Sequence, residues 1–327
     1  MQEGRSAPPA IINLERDGME AARKRRKVNW KDEFSGYLLA APSLILFLVI
    51  GLYTIVFSLV ISFFHIAQGS LITNAVFAGF NNFRDFLFGR DELLAGAFWD
   101  AIVNNLIIAF FMIAAGIPLA LFLSILLQEA HRAVGLFRTV FLLPMITSSV
   151  AIYYVWMGIY DPAGALNQFL SAIGLDQWVA YNGWLGGLHS ALPSIIVMIV
   201  WGSVPGTMVL YFAGLQTIDP HLHEAAKIDG ASFMQRVVHI IWPILRPITV
   251  IAVILTLNGA LQVFEQIWVT TKGGPAGATQ VVNNLIFQEA FNNGGDMGRA
   301  NAMAWTVAVL TFALSLISLR VFRDKQD

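Results

Sequence analysis

Residues 190–218 read SALPSIIVMIVWGSVPGTMVLYFAGLQTI, a run of 29 positions without a charged side chain. An α-helix needs about 20 consecutive apolar residues to cross the hydrocarbon core of a bilayer. The few polar residues in this run are uncharged, so they do not interrupt it. The run therefore predicts a transmembrane helix.

Five further uncharged runs flank this one along the chain. They are residues 37–64, 101–127, 139–160, 247–264 and 300–319. Their apolar residues follow one another directly instead of alternating with polar ones, which excludes the strands of a membrane β-barrel. The sequence predicts an all-α fold, a polytopic membrane protein with six transmembrane helices.

The composition agrees with a lipid environment. Of the 327 residues, 57% are hydrophobic and 13% are charged, whereas soluble domains carry about 25% charged residues. The formal net charge of −1 excludes an overall electrostatic attraction to nucleic acid. The absence of cysteine excludes disulfides, thiolate catalysis and cysteine-ligated metals.

Basic residues are distributed unevenly between the two sides of the predicted spans. If both termini are cytoplasmic, 16 of the 20 Lys and Arg residues lie on the cytoplasmic side. Cytoplasmic loops carry such an excess, so this orientation is expected. The basic run 23–27 is interpreted as a topology anchor before the first span, in preference to a nuclear-localisation or RNA-binding element.

The domain organisation follows from these boundaries. Residues 1–33 are expected to form a basic, disordered cytoplasmic tail, residues 34–322 the six-helix transmembrane domain, and residues 323–327 a short cytoplasmic tail. The first apolar run is too long for the core of a cleaved signal peptide.

The segment 219–243, between the fourth and fifth spans, predicts two short helices. Asp219 suits the N-cap and Pro220 the first turn of one helix, which Gly230 would end. Ser232 and Gln235 have the spacing of a capping box for a second helix, which Pro243 would interrupt. The first helix would be either a docking element with a small-residue face or an amphipathic helix on the membrane surface.

A metal site in this segment is disfavoured. His221 and His223 would point to nearly opposite faces of a helix, and the HExxH frame that begins at His223 ends in Lys227. No metal-ligating or catalytic constellation is predicted elsewhere in the chain.

The segment resembles a known family. Its residues Glu224-Ala225-Ala226, then Gly230, Ile240 and Pro243, are similar to the EAA loop of permease subunits in binding-protein-dependent ABC importers, with Trp242 where leucine is usual. The stretches Ala213-Gly214-Leu215-Gln216 and Phe141-Leu142-Leu143-Pro144 resemble the carbohydrate-importer branch. The stretch Gly273-Gly274-Pro275 resembles the first permease of maltose and glycerol-phosphate importers.

The resemblance implies a role for the 219–243 segment, hereafter the coupling segment. In the family this segment docks on a cytoplasmic ATPase, and the positions that inherit this role are Glu224, Ala225, Ala226, Asp229 and Gly230. The chain has no GxxxxGK[ST] phosphate-binding loop, so ATP and Mg are expected on a partner ATPase, and this chain is expected not to be an enzyme.

The resemblance also implies the assembly. Two ATPase subunits, a second permease subunit and an extracytoplasmic solute-binding protein are the expected partners, in the plasma (inner) membrane of a bacterium or archaeon. The expected substrate is a sugar or oligosaccharide, and no nucleic acid is expected to bind.

Polar residues near the fifth span are the candidate substrate ligands. On one continuous helix the first three of the set would share a face: Asn258, Gln262, Glu265 and Gln266. The alternatives are hydrogen bonds between helices for Asn258 and Gln262 and solvation for Glu265. Asn104 and Asn105 are expected to satisfy local backbone or helix–helix contacts.

Aromatic side chains in the spans offer a second class of candidate sugar contacts. Tyr153, Trp156 and Tyr211 are expected to serve in packing more than in stacking on sugars.

Two other function classes remain open from the residues alone. An ion-coupled carrier would need a chain of buried ionisable groups, which the spans lack. A membrane-embedded enzyme or a structural membrane subunit is the other alternative. The scarcity of Lys and Arg in the spans favours a neutral sugar over glycerol phosphate.

Overall fold

The computed structural model describes residues 30–67, 69–70, 72–129, 134–292 and 294–323. The basic run 23–27 and the last four residues lie outside the described residues, so the predicted tails are not addressed by the structure. The chain divides into two compact units, one ending at Ser58 and one beginning at Leu59.

The described part of the first unit is the first apolar helix as far as Ser58, and the last turn of that helix belongs to the second unit. Helix α1 covers Trp30–Leu46, a π-helical turn covers Phe47–Leu52, and helix α2 begins at Tyr53 and ends at Ile61. The stretch Tyr37–Ile61 is long and apolar enough to cross a membrane.

The second unit is mainly helical. Its longer helices are α4 Glu92–Phe111, α5 Ile117–Glu129, α6 Val134–Ile146, α7 Ser149–Ile159, α9 Ala191–Leu215, α13 Arg246–Leu261 and α16 Met297–Arg323. The shorter ones are α3 Asn81–Leu87, α8 Ala165–Ala172, α10 Pro220–Ile228, α11 Phe233–Arg236, α12 Trp242–Ile244, α14 Glu265–Thr270 and α15 Val282–Phe291. Strands β1 Phe64–His65 and β2 Val76–Phe77 pair antiparallel.

Four stretches of the described chain are continuous helices long enough to span a membrane. They are Tyr37–Ile61, Glu92–Gln128, Ala191–Leu215 and Met297–Ser318. Two further candidates are bent pairs, Thr139–Ile146 with Ser149–Ile159 at 108° and Phe233–Ile244 with Arg246–Leu261 at 73°. The prediction of six spans holds if each bent pair is one span, and the two bends are features that the sequence analysis did not predict.

The hydrophobic core next to the coupling segment joins that segment to the spans. Leu215 and Ile218 at the end of α9 pack with Ile241 and Leu245 from the coupling segment region. At Gly214 the backbone of α9 approaches α13 so closely that a Cβ atom would lie 2.0 Å from Cδ1 of Ile248. A larger residue at this position would require the Ile248 side chain to move.

The opposite end of the unit is closed by a polar network. The buried carboxylate of Asp296 accepts backbone N–H groups from Ile66 at 3.0 Å and Gly298 at 2.7 Å, and it contacts Nδ1 of His65. Arg299, one turn along α16, pairs with Glu289 at 2.7 Å. These bonds fix the β1–β2 hairpin to the start of α16, because each satisfies a buried polar group.

Candidate functional site

The first helix of the coupling segment begins as its sequence predicts. The Asp219 carboxylate accepts the backbone N–H of His221 at 2.9 Å, and Pro220 occupies the first turn of α10. Both residues satisfy the unpaired start of a helix, so the predicted N-terminus is confirmed.

The turn at Gly230 ends this helix. Its φ angle is +77°, in the left-handed region that favours glycine. The N–H of Ala231 donates to the carbonyl oxygen of Ala226 at 2.9 Å. The N–H of Gly230 donates to the carbonyl oxygen of Lys227 at 3.2 Å. This pair of bonds is a Schellman motif, which confirms Gly230 as the helix stop.

The second helix starts immediately after this turn. Ser232 and Gln235 exchange two hydrogen bonds, at 2.7 Å and 3.3 Å, which form the predicted capping box. The helical course continues through Pro243 to Ile244 and bends at Leu245. The prediction that Pro243 interrupts it is therefore wrong by two positions, because a π-helical turn at Val237–Ile241 precedes the proline.

The first helix is accessible while the second is anchored. Glu224, Ala225, Asp229 and Gly230 are exposed, and Ala226 is half-buried. Ile228 is 86% exposed although it is apolar. An exposed small-residue face with an exposed isoleucine beside it is suited to contact with another protein.

The candidate substrate residues lie on either side of a helix break instead of on one helix. Helix α13 ends at Leu261, residues Gln262 to Phe264 are not helical, and α14 starts at Glu265. The prediction that Asn258, Gln262 and Glu265 share one helical face is therefore wrong. The break separates the four residues into two pairs.

The pair Glu265 and Gln266 lies at a cavity of about 260 Å³, called the central cavity here. Gln266 lines it directly, and Glu265 reaches it through Ser149, whose hydroxyl donates to Oε2 of Glu265 at 2.8 Å. Three helix interruptions border the cavity: the bend between α6 and α7, the break between α13 and α14, and the π-helical turn Met112–Gly116.

Interrupted helices at one cavity indicate a binding site in a membrane protein. Irregular backbone in the hydrocarbon region is tolerated only inside protein or at a water-filled cavity. In transporters such discontinuous helices supply the groups that hold substrates. Further polar side chains on the central cavity are Ser203 and Tyr153.

The pair Asn258 and Gln262 lies at a second cavity, between α13 and α16. This cavity is open, about 450 Å³ in volume, and includes Asn283 and Ser315. The Asn258 amide donates to the carbonyl of Ile254 at 2.9 Å and to Ser315 at 3.4 Å. The bond to Ser315 supports the alternative in which Asn258 forms a hydrogen bond between helices. Gln262 is exposed.

Asn104 and Asn105 hold the break in place. The buried Asn105 amide donates to the carbonyl of Ala260 at 2.7 Å and accepts the N–H of Val282 at 3.0 Å. Asn104 donates to the carbonyl of Gln280 at 2.8 Å. The expectation that both satisfy backbone groups is confirmed.

The three aromatic candidates differ in their surroundings. Tyr211 is fully buried and donates to Thr249 at 2.9 Å, so it packs inside the unit. Trp156 packs edge-on against Trp201 with ring centroids 5.7 Å apart. Tyr153 is nearly buried but lines the central cavity.

The sequence analysis missed Ser149 and Ser203. A signal for Ser149 was present, because Thr147, Ser148 and Ser149 follow Pro144 inside the third apolar run. Proline followed by hydroxyl residues is typical of a helix end and a new N-terminus. Ser203 carries no such signal.

Known proteins resemble the chain along most of its length. The "Probable ABC transporter permease protein YurN" of Bacillus subtilis is 34% identical over 89% of this chain and 97% of its own. The "Trehalose/maltose transport system permease protein MalF" of Thermococcus litoralis is 31% identical over 92% of this chain and 98% of its own.

A solved structure has a similar fold. A chain of a bacterial ABC transporter involved in the import of the acidic polysaccharide alginate matches with a TM-score of 0.74 and 26% identity. The match covers 90% of this chain and 98% of that one.

Residues 93–323 match the family described as "Binding-protein-dependent transport system inner membrane component". That range includes the coupling segment, the central cavity and both bent helix pairs. The chain therefore belongs to the family of binding-protein-dependent transport system inner membrane components.

Proposed function

We propose that this chain is the permease subunit of an ATP-driven importer that carries a sugar or oligosaccharide across the membrane. The observation that carries the proposal is the coupling segment, an exposed capped helix whose continuation inserts Ile241 and Leu245 into the core of the spans. A partner that moves this helix would move the spans with it. The sugar-transport names of the relatives support the substrate class.

Helix α13 connects the two ends of the proposed mechanism. It starts directly after the bend at Leu245 and ends at the break beside the central cavity. Its 16 residues span about 24 Å at 1.5 Å per residue. Because a packed helix moves as a rigid body, a displacement of the coupling segment would alter the central cavity, consistent with alternating access.

The sugar contacts in this proposal are the polar groups of the central cavity. Glu265 and Gln266 offer acceptors and donors suited to sugar hydroxyls, and Ser149 orients the Glu265 carboxylate. Asn258 and Gln262 form a second set at the cavity between α13 and α16.

The remaining parts of the importer are assigned to other chains. We propose that two partner ATPase subunits bind ATP and Mg. The residues of this chain that dock on an ATPase subunit are Glu224, Ala225, Ala226, Asp229 and Gly230. A second permease subunit completes the pathway, and an extracytoplasmic binding protein delivers the sugar. We place the assembly in the inner membrane with both termini cytoplasmic, on the basis of the 16 basic residues on that side.

The orientation is testable because the chain contains no cysteine. Met234 in the coupling segment and Phe88 at the opposite end are both well exposed. A membrane-impermeant maleimide is expected to label Phe88→Cys in right-side-out vesicles and Met234→Cys only in inside-out vesicles. The reverse pattern would contradict the proposed orientation.

Coupling is tested at Gly230. Valine there must adopt a positive φ, which costs roughly 1–2 kcal/mol and opens the Schellman turn. Gly230→Val is expected to lower sugar uptake at least tenfold in reconstituted vesicles and to abolish the stimulation of ATP hydrolysis by the loaded binding protein.

The matched control is Gly174→Val. Gly174 has a φ of +75°, and a Cβ there, as at Gly230, would meet no atom within 4 Å, but it lies outside the coupling segment. This control is expected to stay within twofold of wild type. If Gly230→Val shows normal sugar uptake and normal stimulation of ATP hydrolysis, the turn at Gly230 has no role in coupling.

The sugar contacts are tested by truncation. Glu265→Ala and Gln266→Ala are expected to raise the sugar concentration for half-maximal uptake about tenfold, because each removes a hydrogen-bonding group worth roughly 1–2 kcal/mol. Gln262→Ala is expected to impair uptake because it removes a polar group from the cavity between α13 and α16. Assembly with the partner subunits, measured by co-purification, should be unchanged.

The control for these variants is Gln168→Ala. Gln168 is an exposed amide on α8 and lies outside both cavities. Unchanged uptake kinetics in Glu265→Ala and Gln266→Ala would exclude the central cavity as the sugar site.

A further inference from the structure

We propose that Glu265 is a charge filter, so that this permease carries neutral or amino sugars and rejects sugars with carboxylate or phosphate groups. The inference rests on the proposed function, since it names the class of sugar that the central cavity accepts. The Ser149 hydroxyl, which lines the cavity, lies 2.8 Å from Oε2 of Glu265.

The Glu265 carboxylate is exposed beside the central cavity, and among the described residues it forms no ion pair with a cation. It accepts a hydrogen bond from the neutral Ser149 hydroxyl, which lines the cavity. The carboxylate is therefore oriented by a neutral donor instead of by a cation among the described residues.

The described side chains that line the central cavity include no Lys or Arg. Apart from two serines, Tyr153, Trp201 and Gln266, they are apolar residues or glycine. The nearest cation along the same segment is Lys272, whose Nζ lies 6.0 Å from the centre of the Trp268 ring and whose side chain lines a different cavity. An anionic sugar in the central cavity would find no opposite charge among these groups.

The magnitude of the repulsion is large enough to select between sugars. Two like charges about 7 Å apart weaken binding by roughly threefold at the dielectric constant of water and by roughly fiftyfold at an effective constant of about 20. Recognition of carboxylate or phosphate normally uses Arg or Lys. A neutral sugar meets only hydrogen-bonding groups, and an amino sugar gains an attraction.

The solved alginate importer gives a contrast in substrate charge on a similar fold. Alginate is acidic, whereas this chain holds a carboxylate next to its cavity, bonded to the Ser149 hydroxyl that lines it. Fold similarity alone would assign the same substrate class to both proteins. The Glu265 carboxylate distinguishes this chain, because it would repel an acidic sugar.

The test uses three oligosaccharides of equal length and linkage: a neutral glucoside, its 2-amino form and its 6-carboxyl form. Their affinities are measured by titration calorimetry on the assembled importer, without binding protein, so that the binding protein does not select among them. Wild type is expected to bind the carboxyl form at least tenfold more weakly than the neutral form.

The decisive variant is Glu265→Gln, which removes the charge and keeps the shape. It is expected to raise the affinity for the carboxyl form relative to the neutral form at least fivefold, and Glu265→Lys is expected to raise it further. The control is Glu92→Gln, since Glu92 is also an exposed first-turn carboxylate but lines a different cavity. The ratio should not change in this control.

Three outcomes would overturn the inference. They are tighter or equal binding of the carboxyl form by wild type, an unchanged ratio in Glu265→Gln, and an equal change in Glu92→Gln. The proposed function fails separately if the complete importer, supplied with ATP and its loaded binding protein, accumulates no sugar of any charge.

Discussion

The architecture depends on two hydrogen bonds made by one buried amide. Asn105, fully buried in α4, donates to the carbonyl of Ala260 and accepts the N–H of Val282. A hydrocarbon environment offers no partners to a broken helix, so each freed backbone group must be satisfied by protein or water. By supplying a donor and an acceptor at once, Asn105 allows α13 to stop and α15 to start beside it. Asn105 therefore satisfies backbone groups at two helix ends and holds the break that borders the central cavity.

Helix α13 has the coupling segment before its start and the central cavity at its end. At one end the coupling segment presents an exposed helix, fixed by the Schellman turn at Gly230. At the other end Glu265 and Gln266 begin a new helix at the cavity. The rigid helix α13 lies between the two, packed against α9 at Gly214. In the proposed mechanism, this single helix, with a bend at one end and a break at the other, connects the ATPase contact to the sugar site.

The sequence predicted the local features of this arrangement well. Asp219, Gly230 and the Ser232–Gln235 pair carry their signals within a few residues, so caps and turns could be placed correctly. The break at residues 262–264 carries no proline or glycine of its own and depends on a bond between positions 155 residues apart. Sequence periodicity extended the helix through it and placed Gln262 and Glu265 on one face. Long-range hydrogen bonding, which has no local signature, overrode helix propensity there.

The central claim is that the sugar occupies the cavity beside Ser149. Because this chain lacks cysteine, Ser149→Cys gives it a single thiol, at that cavity, and Gln168→Cys gives it a single exposed thiol outside the central cavity. The measurement is the rate at which a small maleimide alkylates this chain in the assembled importer, with and without the sugar that the binding protein carries. We expect the sugar to slow alkylation at position 149 at least fivefold and to leave position 168 unchanged. Equal rates at position 149 with and without sugar would contradict the account.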